Sequence, residues 1–175
     1  MYASFTLRLK AFMIDYILIF LYLIVIFIFS VFLFPSVQQL FTGSLVTAQF
    51  YGFLLVTFPV SLYFIISDSN IGKQSFGKRK AGIRVVKKNG ESLSVVHAII
   101  RTIIKFLPWE LSHFLVYRLM YLGDAEVPIA YYLVGVLIYA LLFAYILTAV
   151  FLKKKQSLYD ILVKTYVVKE SKSEI

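Results

Sequence analysis

The sequence predicts an all-α integral membrane protein with four transmembrane helices, one of them short and kinked, and a small cytoplasmic β-hairpin or sheet. Three observations carry that prediction. First, of 175 residues 61% are hydrophobic and 15% charged, against about 45–50% and about 25% in soluble domains. A soluble domain of this size cannot bury so much apolar surface in its own core, so lipid has to act as solvent for the rest. Second, the net charge of +9 is blocked along the chain: residues 16–67 and 129–152 carry no charge, whereas 68–94 carry seven Lys/Arg against Asp68 and Glu91. Third, the uncharged runs are long enough to cross a hydrocarbon core, which takes about 20 apolar residues in helix. Disorder is excluded by the same hydrophobicity. The absence of cysteine excludes a disulfide framework and Cys-based zinc or iron–sulfur sites.

In chain order, the first span is 11–34, with Asp15 as its only charge. Pro35, Ser36, two glutamines and Gly43 mark a short polar turn. The second span, 47–67, contains Pro59, which membrane helices tolerate, and the two spans form a hairpin. Residues 68–94 are a basic cytoplasmic loop. The segment 95–122 is mixed: His97, Arg101 and Lys105 recur every fourth residue as one polar stripe, and Pro108 interrupts it. The last span, 129–152, meets Lys153, Lys154 and Lys155 at once, and 153–175 is a cytoplasmic tail. Under the positive-inside rule 1–10, 68–94 and 153–175 lie inside and the acidic 123–128 outside. The segment 95–122 then has to cross, as an interface helix to about Leu107, a bend at Pro108 and a short crossing. The alternative, 95–122 lying on the surface, leaves three spans and strands the lysine cluster outside. The chain 1–175 is thus expected as a single multi-pass domain of the cell membrane with both termini cytoplasmic. Its first apolar run is longer than the 7–15 residues or so of a cleaved signal peptide.

The basic loop carries its own signals. Asn89-Gly90 marks a hairpin turn, and Ile83, Val85 and Val86 favour a strand, as does Thr165-Tyr166-Val167-Val168. The expected sheet joins 82–88, 91–94 and 165–169. Gly72-x-x-x-x-Gly77-Lys78 imitates a phosphate-binding loop. Arg79 stands where a hydroxyl should reach Mg²⁺, and the loop leads toward a strand instead of a helix N-terminus, so nucleotide binding is not expected. Lys78, Arg79 and Lys80, with Lys153, Lys154 and Lys155, are assigned to anionic lipid headgroups, where each cation is worth about 1 kcal/mol.

Asp15 lies one turn inside the first span, where an ionisable side chain needs a function or a partner. Arg8, Ala11 and Asp15 share a helical face, but a rise of about 10.5 Å from Arg8 to Asp15 forbids direct contact. Arg101 and Lys105 are therefore expected as partners for Asp15, and Asp160 as a partner for Arg8.

These residues fall into a pattern: Arg8-x-x-Ala11-x-x-x-Asp15, then Gly77-Lys78-Arg79-x-x-Gly82-x-Arg84-Val85-Val86, Asn89-Gly90, Leu93-Ser94, Arg101, and Leu158-Tyr159-Asp160-x-x-x-x-Thr165-x-Val167-Val168. The pattern resembles the RDD family of small bacterial membrane proteins over roughly residues 5–169. The arginine and two aspartates of the family name correspond to Arg8, Asp15 and Asp160. The chain departs from the family at Tyr159, commonly His, and at Lys164, commonly Gly. The resemblance implies a transporter, with cation/proton antiport suggested for some members.

Two functions are carried forward. One is a transporter of Na⁺ or H⁺ whose ion pathway runs through Arg8, Asp15, Arg101, Lys105 and Asp160; the same five residues could instead form a structural charge cluster. The other is a non-enzymatic membrane protein that binds or regulates another membrane protein, with a homo-oligomer or a membrane-protein partner equally open. No enzyme is expected. Gly43-Ser44 and His97 fall on opposite sides of the membrane, and Tyr159-Asp160 lacks the second half of an aspartyl protease pair. Two histidines without cysteine make no zinc site, so no metal or other cofactor is expected. The expected surroundings are a bilayer with anionic headgroups, not nucleic acid.

Overall fold

The computed structural model describes residues 1–41 and 43–170. The end of the expected 153–175 tail lies outside the described residues. Helix α1 (Phe5–Ile28) continues through a π-helical turn to Leu33. Helices α2 (Leu45–Gly52) and α3 (Phe58–Asp68) are joined by a second π-helical turn, Phe53–Thr57. Short α4 (Phe76–Ala81) leads into β1 (Ile83–Lys87), then come α5 (Val95–Leu122), α6 (Ile129–Phe151), α7 (Leu158–Leu162) and β2 (Thr165–Lys169). Three stretches, Phe5–Leu33, Leu45–Asp68 and Ile129–Phe151, are long and apolar enough to cross a membrane.

Serine starts five of these helices, Ser157 preceding α7. Ser4, Ser44, Ser75 and Ser94 each accept a hydrogen bond from a backbone N–H of the first turn, satisfying a donor the helix cannot. Capped by Ser4, α1 starts six residues before 11, where the span was expected to begin, and Arg8 is helical as its shared face with Ala11 and Asp15 requires. The expected interface helix and short crossing within 95–122 are one continuous 28-residue helix with Pro108 inside it. That helix runs antiparallel along the whole of α2 and α3: Arg118 meets Gln49, Glu110 meets Thr57, and Arg101 meets Asp68.

Both prolines inside long helical stretches, Pro59 and Pro108, are accommodated in the same way. A proline frees the carbonyl four residues before it. For Pro59 that is Leu55, whose carbonyl accepts the Tyr22 hydroxyl at 2.6 Å. For Pro108 it is Ile104, whose carbonyl accepts the Tyr145 hydroxyl at 2.5 Å. Each tyrosine comes from a different helix, so the freed carbonyls tie α1 to α2–α3 and α6 to α5. Tyr22→Phe and Tyr145→Phe are each expected to cost about 1 kcal/mol, read as a lowered unfolding midpoint in detergent. Tyr139→Phe, at a 66% exposed site, should leave the midpoint in place.

The apolar core sits at one end of the bundle. Ala3, Ala11, Ile83, Val85, Leu93, Ala98 and Val167 pack together between α1, α5 and the sheet. Along the spans the large apolar side chains face outward, as lipid-solvated helices should. The sheet differs from expectation. Strands β1 and β2 pair antiparallel with Val85 opposite Val167, but 91–94 forms no strand. Leu93 instead bridges Ser69, and Ser94 caps α5. The place of a third strand is taken by the N-terminus: Ala3 N–H donates to Val167 at 2.9 Å, and Lys169 N–H to Met1 at 2.9 Å. Gly90 turns with φ 86° while Asn89 keeps a negative φ, so the turn is not the two-residue hairpin the pair suggests.

Candidate functional site: a buried charge cluster at the capped end of the bundle

Three aspartates meet where α1 begins, α3 ends and α5 begins. Asp15 and Asp68 are 1% exposed and Asp160 is 0% exposed. Their partners divide them into two kinds.

Asp15 is held by neutral donors. Its Oδ1 accepts from the Tyr63 hydroxyl at 2.8 Å and from Gly77 N–H at 2.7 Å, and its Oδ2 accepts from Ser75 Oγ at 2.6 Å. The expectation that Arg101 or Lys105 pairs with Asp15 is corrected. Asp15 makes no ion pair among the described residues; the first turn of α4 packs onto α1 and supplies Ser75 and Gly77 as donors in place of a cation. The spacing of Arg8, Ala11 and Asp15 acquires a reason here. A Cβ on Gly77 would stand 2.0 Å from the Ala11 carbonyl oxygen and 2.8 Å from Asp15 Cγ, so glycine at 77 sets the approach of α4 to α1. Of the two glycines that imitated a phosphate loop, Gly77 serves this contact and Gly72 lies against the Ile66–Ser67 backbone, and the loop does lead into a short helix, α4, before the strand.

Asp68 and Asp160 are held by cations. Asp160 Oδ2 accepts from Arg8 Nη1 at 2.6 Å, and Asp160 Oδ1 accepts from Arg101 Nε at 3.0 Å and Nη2 at 2.8 Å. Arg101 Nη1 turns to Asp68 Oδ2 at 2.8 Å, and Asp68 Oδ1 accepts Lys78 Nζ at 2.5 Å. The result is a row, Arg8–Asp160–Arg101–Asp68–Lys78, spanning α1, α7, α5, α3 and α4. Asp160 also accepts from Thr165 Oγ1 at 3.1 Å and from Ser157 N–H at the start of α7, which locks β2 to the cluster. Burial alone pushes the Asp160 carboxyl up; the Arg101 and Arg8 guanidinium groups outweigh it and hold the group below the usual carboxylate range.

Arg8 meets Asp160, the partner expected for it. Asp68 was read as the first residue of the loop, although an acid ending an apolar run opposite Arg101 is a usable signal. Lys78 was assigned to lipid headgroups and instead turns inward to Asp68, at 9% exposure. Arg79, Lys80, Lys153 and Lys154 are exposed; Lys155 is partly buried and donates to the Val150 carbonyl at 2.6 Å. Lys105 is in no ion pair among the described residues, and its Nζ stands 3.5 Å from the centre of the Phe64 ring, a cation–π contact. A second polar group lies farther along the bundle, where Glu110 accepts from Thr57 and stands 3.5 Å from His113. Glu110 had been left without a role.

The two departures from the family pattern also find places. The Tyr159 ring lies under the Arg101 guanidinium at 5.0 Å and edge-on to Tyr145 at 5.1 Å. Lys164 has φ 55°, a left-handed conformation that costs a side-chain-bearing residue about 1–2 kcal/mol. Lys164→Gly is therefore expected to raise stability by about 1 kcal/mol, read as a higher unfolding midpoint.

Asp15, Arg8, Lys78, Arg101 and Lys105 line one cavity of about 70 Å³ together with Tyr159 and the apolar Phe12 and Phe64. Chemically, protonating Asp160 or Asp68 breaks ion pairs. Protonating Asp15 breaks none, because the Ser75 and Tyr63 hydroxyls can accept as well as donate.

A family model described as the RDD family matches residues 2–164. Comparison with curated proteins and with solved structures gives no match.

Proposed function

The chain belongs to the RDD family, and from that premise we propose that it is a non-enzymatic multi-pass membrane carrier in which Asp15 exchanges a proton, in the form of cation/proton antiport. The observation that carries this reading is the partner set of Asp15: a buried carboxylate on a cavity wall, held by two hydroxyls and a backbone N–H instead of cations. Buried acids inside membrane helices are functional candidates by default. Asp68 and Asp160, fixed between cations, serve as scaffold for it. The experiment is proton flux in proteoliposomes. An external Na⁺ or K⁺ pulse should raise internal pH with the parent protein and leave it flat with Asp15→Asn. Flux in Asp15→Asn equal to the parent removes Asp15 from the pathway.

One observation favours the second reading, a membrane protein that binds or regulates another. The ion-paired row closes three of the five sequence-derived cluster residues, Arg8, Arg101 and Asp160, together with Asp68 and Lys78, into a lock. No flux in the parent, with a stable co-purifying membrane protein, would favour that reading.

We place α5 as a fourth span, with both termini and the charge cluster on the cytoplasmic side of the cell membrane. The pairing of α5 along all of 45–68 and the basic 68–94 and 153–155 segments support this. The exposed Arg79, Lys80, Lys153 and Lys154 then face anionic headgroups. A reporter fused after Glu126 should read as external; a cytoplasmic signal there would remove the fourth span.

A further inference from the structure

The cavity beside Asp15 has a charge imbalance that proton exchange does not use. Arg8, Lys78, Arg101 and Lys105 line it. The acids of the cluster are Asp15, Asp68 and Asp160, so four basic side chains meet three acidic ones. Burying an uncompensated charge is costly unless something pairs with it.

The unmatched donors can be named. Arg8 uses only Nη1 on Asp160, and its Nε and Nη2 are buried with no hydrogen-bond partner. Those two atoms form one edge of the guanidinium fork, whose parallel N–H groups match two oxygens of an oxyanion. Lys105, on the same lining, has an aromatic ring as its neighbour and no carboxylate in ion-pair range among the described residues. Asp15, the acid on the wall, has its oxygens committed to three donors. The volume of about 70 Å³ has room for about five water-sized atoms, the heavy-atom count of a tetrahedral oxyanion. A single-atom anion leaves most of that space unused.

We propose that this cavity is a binding site for a phosphate group, gripped by the Nε–Nη2 edge of Arg8 and by Lys105. Phe12, 46% exposed, and the partly exposed Lys105 mark the side of entry between α1 and α5. The group reaches the site either as a phospholipid headgroup or as free phosphate. The site does not rest on the transport reading and requires no flux through the protein.

The test uses the full chain purified in detergent, with Lys105→Met and Arg8→Lys. Arg8→Lys keeps a cation for Asp160 and removes the fork; Lys105→Met breaks no ion pair and decides the matter if Arg8→Lys does not fold. Inorganic phosphate is titrated calorimetrically against chloride at equal ionic strength. In parallel, native mass spectrometry follows retention of phosphatidic acid against diacylglycerol, which has the same chains and no phosphate. Expected is saturable binding of phosphate, phosphatidic acid or both, weakened about tenfold or more in each folded variant, and unchanged in Lys154→Ala. Binding of inorganic phosphate assigns the solution source, and retention of phosphatidic acid alone assigns the headgroup. Absence of saturable binding in both arms, or binding that Lys105→Met leaves unchanged, overturns the site whatever the proteoliposomes show.

Discussion

Asp160→Asn is expected to lower the stability of the folded protein by about 3–5 kcal/mol, the range found when one partner of a buried ion pair is removed. The substitution keeps the shape of the side chain and removes its charge. The amide keeps one acceptor oxygen, so its NH2 displaces either the one side-chain hydrogen bond of Arg8, at 2.6 Å, or the two of Arg101, at 3.0 and 2.8 Å, and two buried guanidinium groups are left short of countercharge. Because α1, α5, α7 and β2 all meet at this carboxylate, the loss should detach the sheet end from the bundle as a unit. Unfolding midpoints in detergent measure the first effect, and protection of the β2 amides from hydrogen exchange measures the second. An asparagine variant within 1 kcal/mol of the parent would mean that the row of charges adds no net stability. The same carboxyl sets an acid limit. Its folded pKa lies below the ordinary value, so its contribution is complete above the unfolded value of about 3.9. It is lost as pH falls from there through the lower folded pKa. Acid destabilisation between those values should be weaker in Asp160→Asn than in the parent.

Gly77→Ala is the second large effect. The added Cβ would stand 2.0 Å from the Ala11 carbonyl oxygen, an atom fixed in the α1 backbone, so α4 has to move. Overpacking alone costs about 1–3 kcal/mol. Moving α4 also withdraws the Gly77 N–H and Ser75 Oγ from a buried carboxylate, at about 1.5–3 kcal/mol for each bond to a charged group. A loss of about 3 kcal/mol or more is expected. Gly135→Ala is the matched comparison: its nearest neighbour is Leu115 Cδ2 at 3.8 Å, an ordinary contact, and a mid-helix alanine should hold or raise the midpoint. Equal midpoints for the two variants would show that the α1–α4 approach is not set by glycine.

Much of the fold was legible because its signals are local. Uncharged runs marked the three apolar helices, and the Val-rich segments at 83–86 and 165–168 marked both strands. What was missed depends on partners remote in sequence. The first span was set at 11 because Arg8 and Lys10 read as its charged flank, whereas the helix itself begins at Phe5 under the Ser4 cap. The strand expected at 91–94 lost its place to Met1–Ala3, three residues too few to show an alternating pattern. The arginine and two aspartates were legible as a group needing partners, and Arg8 with Asp160 followed from charge. The partners of Asp15 did not. Coulombic reasoning favours Arg101 or Lys105, whereas a tyrosine hydroxyl, a serine hydroxyl and a glycine N–H carry no charge in the sequence to announce them. Asp68 was obscured by the seven cations that follow in its loop.

The division of the three buried aspartates into one with neutral partners and two with cationic ones can be read directly by infrared spectroscopy. Difference spectra of the protein in lipid, recorded as pH is lowered toward but not below the ordinary aspartate value of about 3.9, where Asp160 stays ionised, report each carboxylate that takes up a proton as a carboxylic C=O band. A buried carboxyl band should grow in the parent and persist in a folded Asp160→Asn variant, and be missing in Asp15→Asn. A buried band that survives Asp15→Asn, or that disappears in Asp160→Asn, would contradict the assignment of Asp15 as the exchanging group.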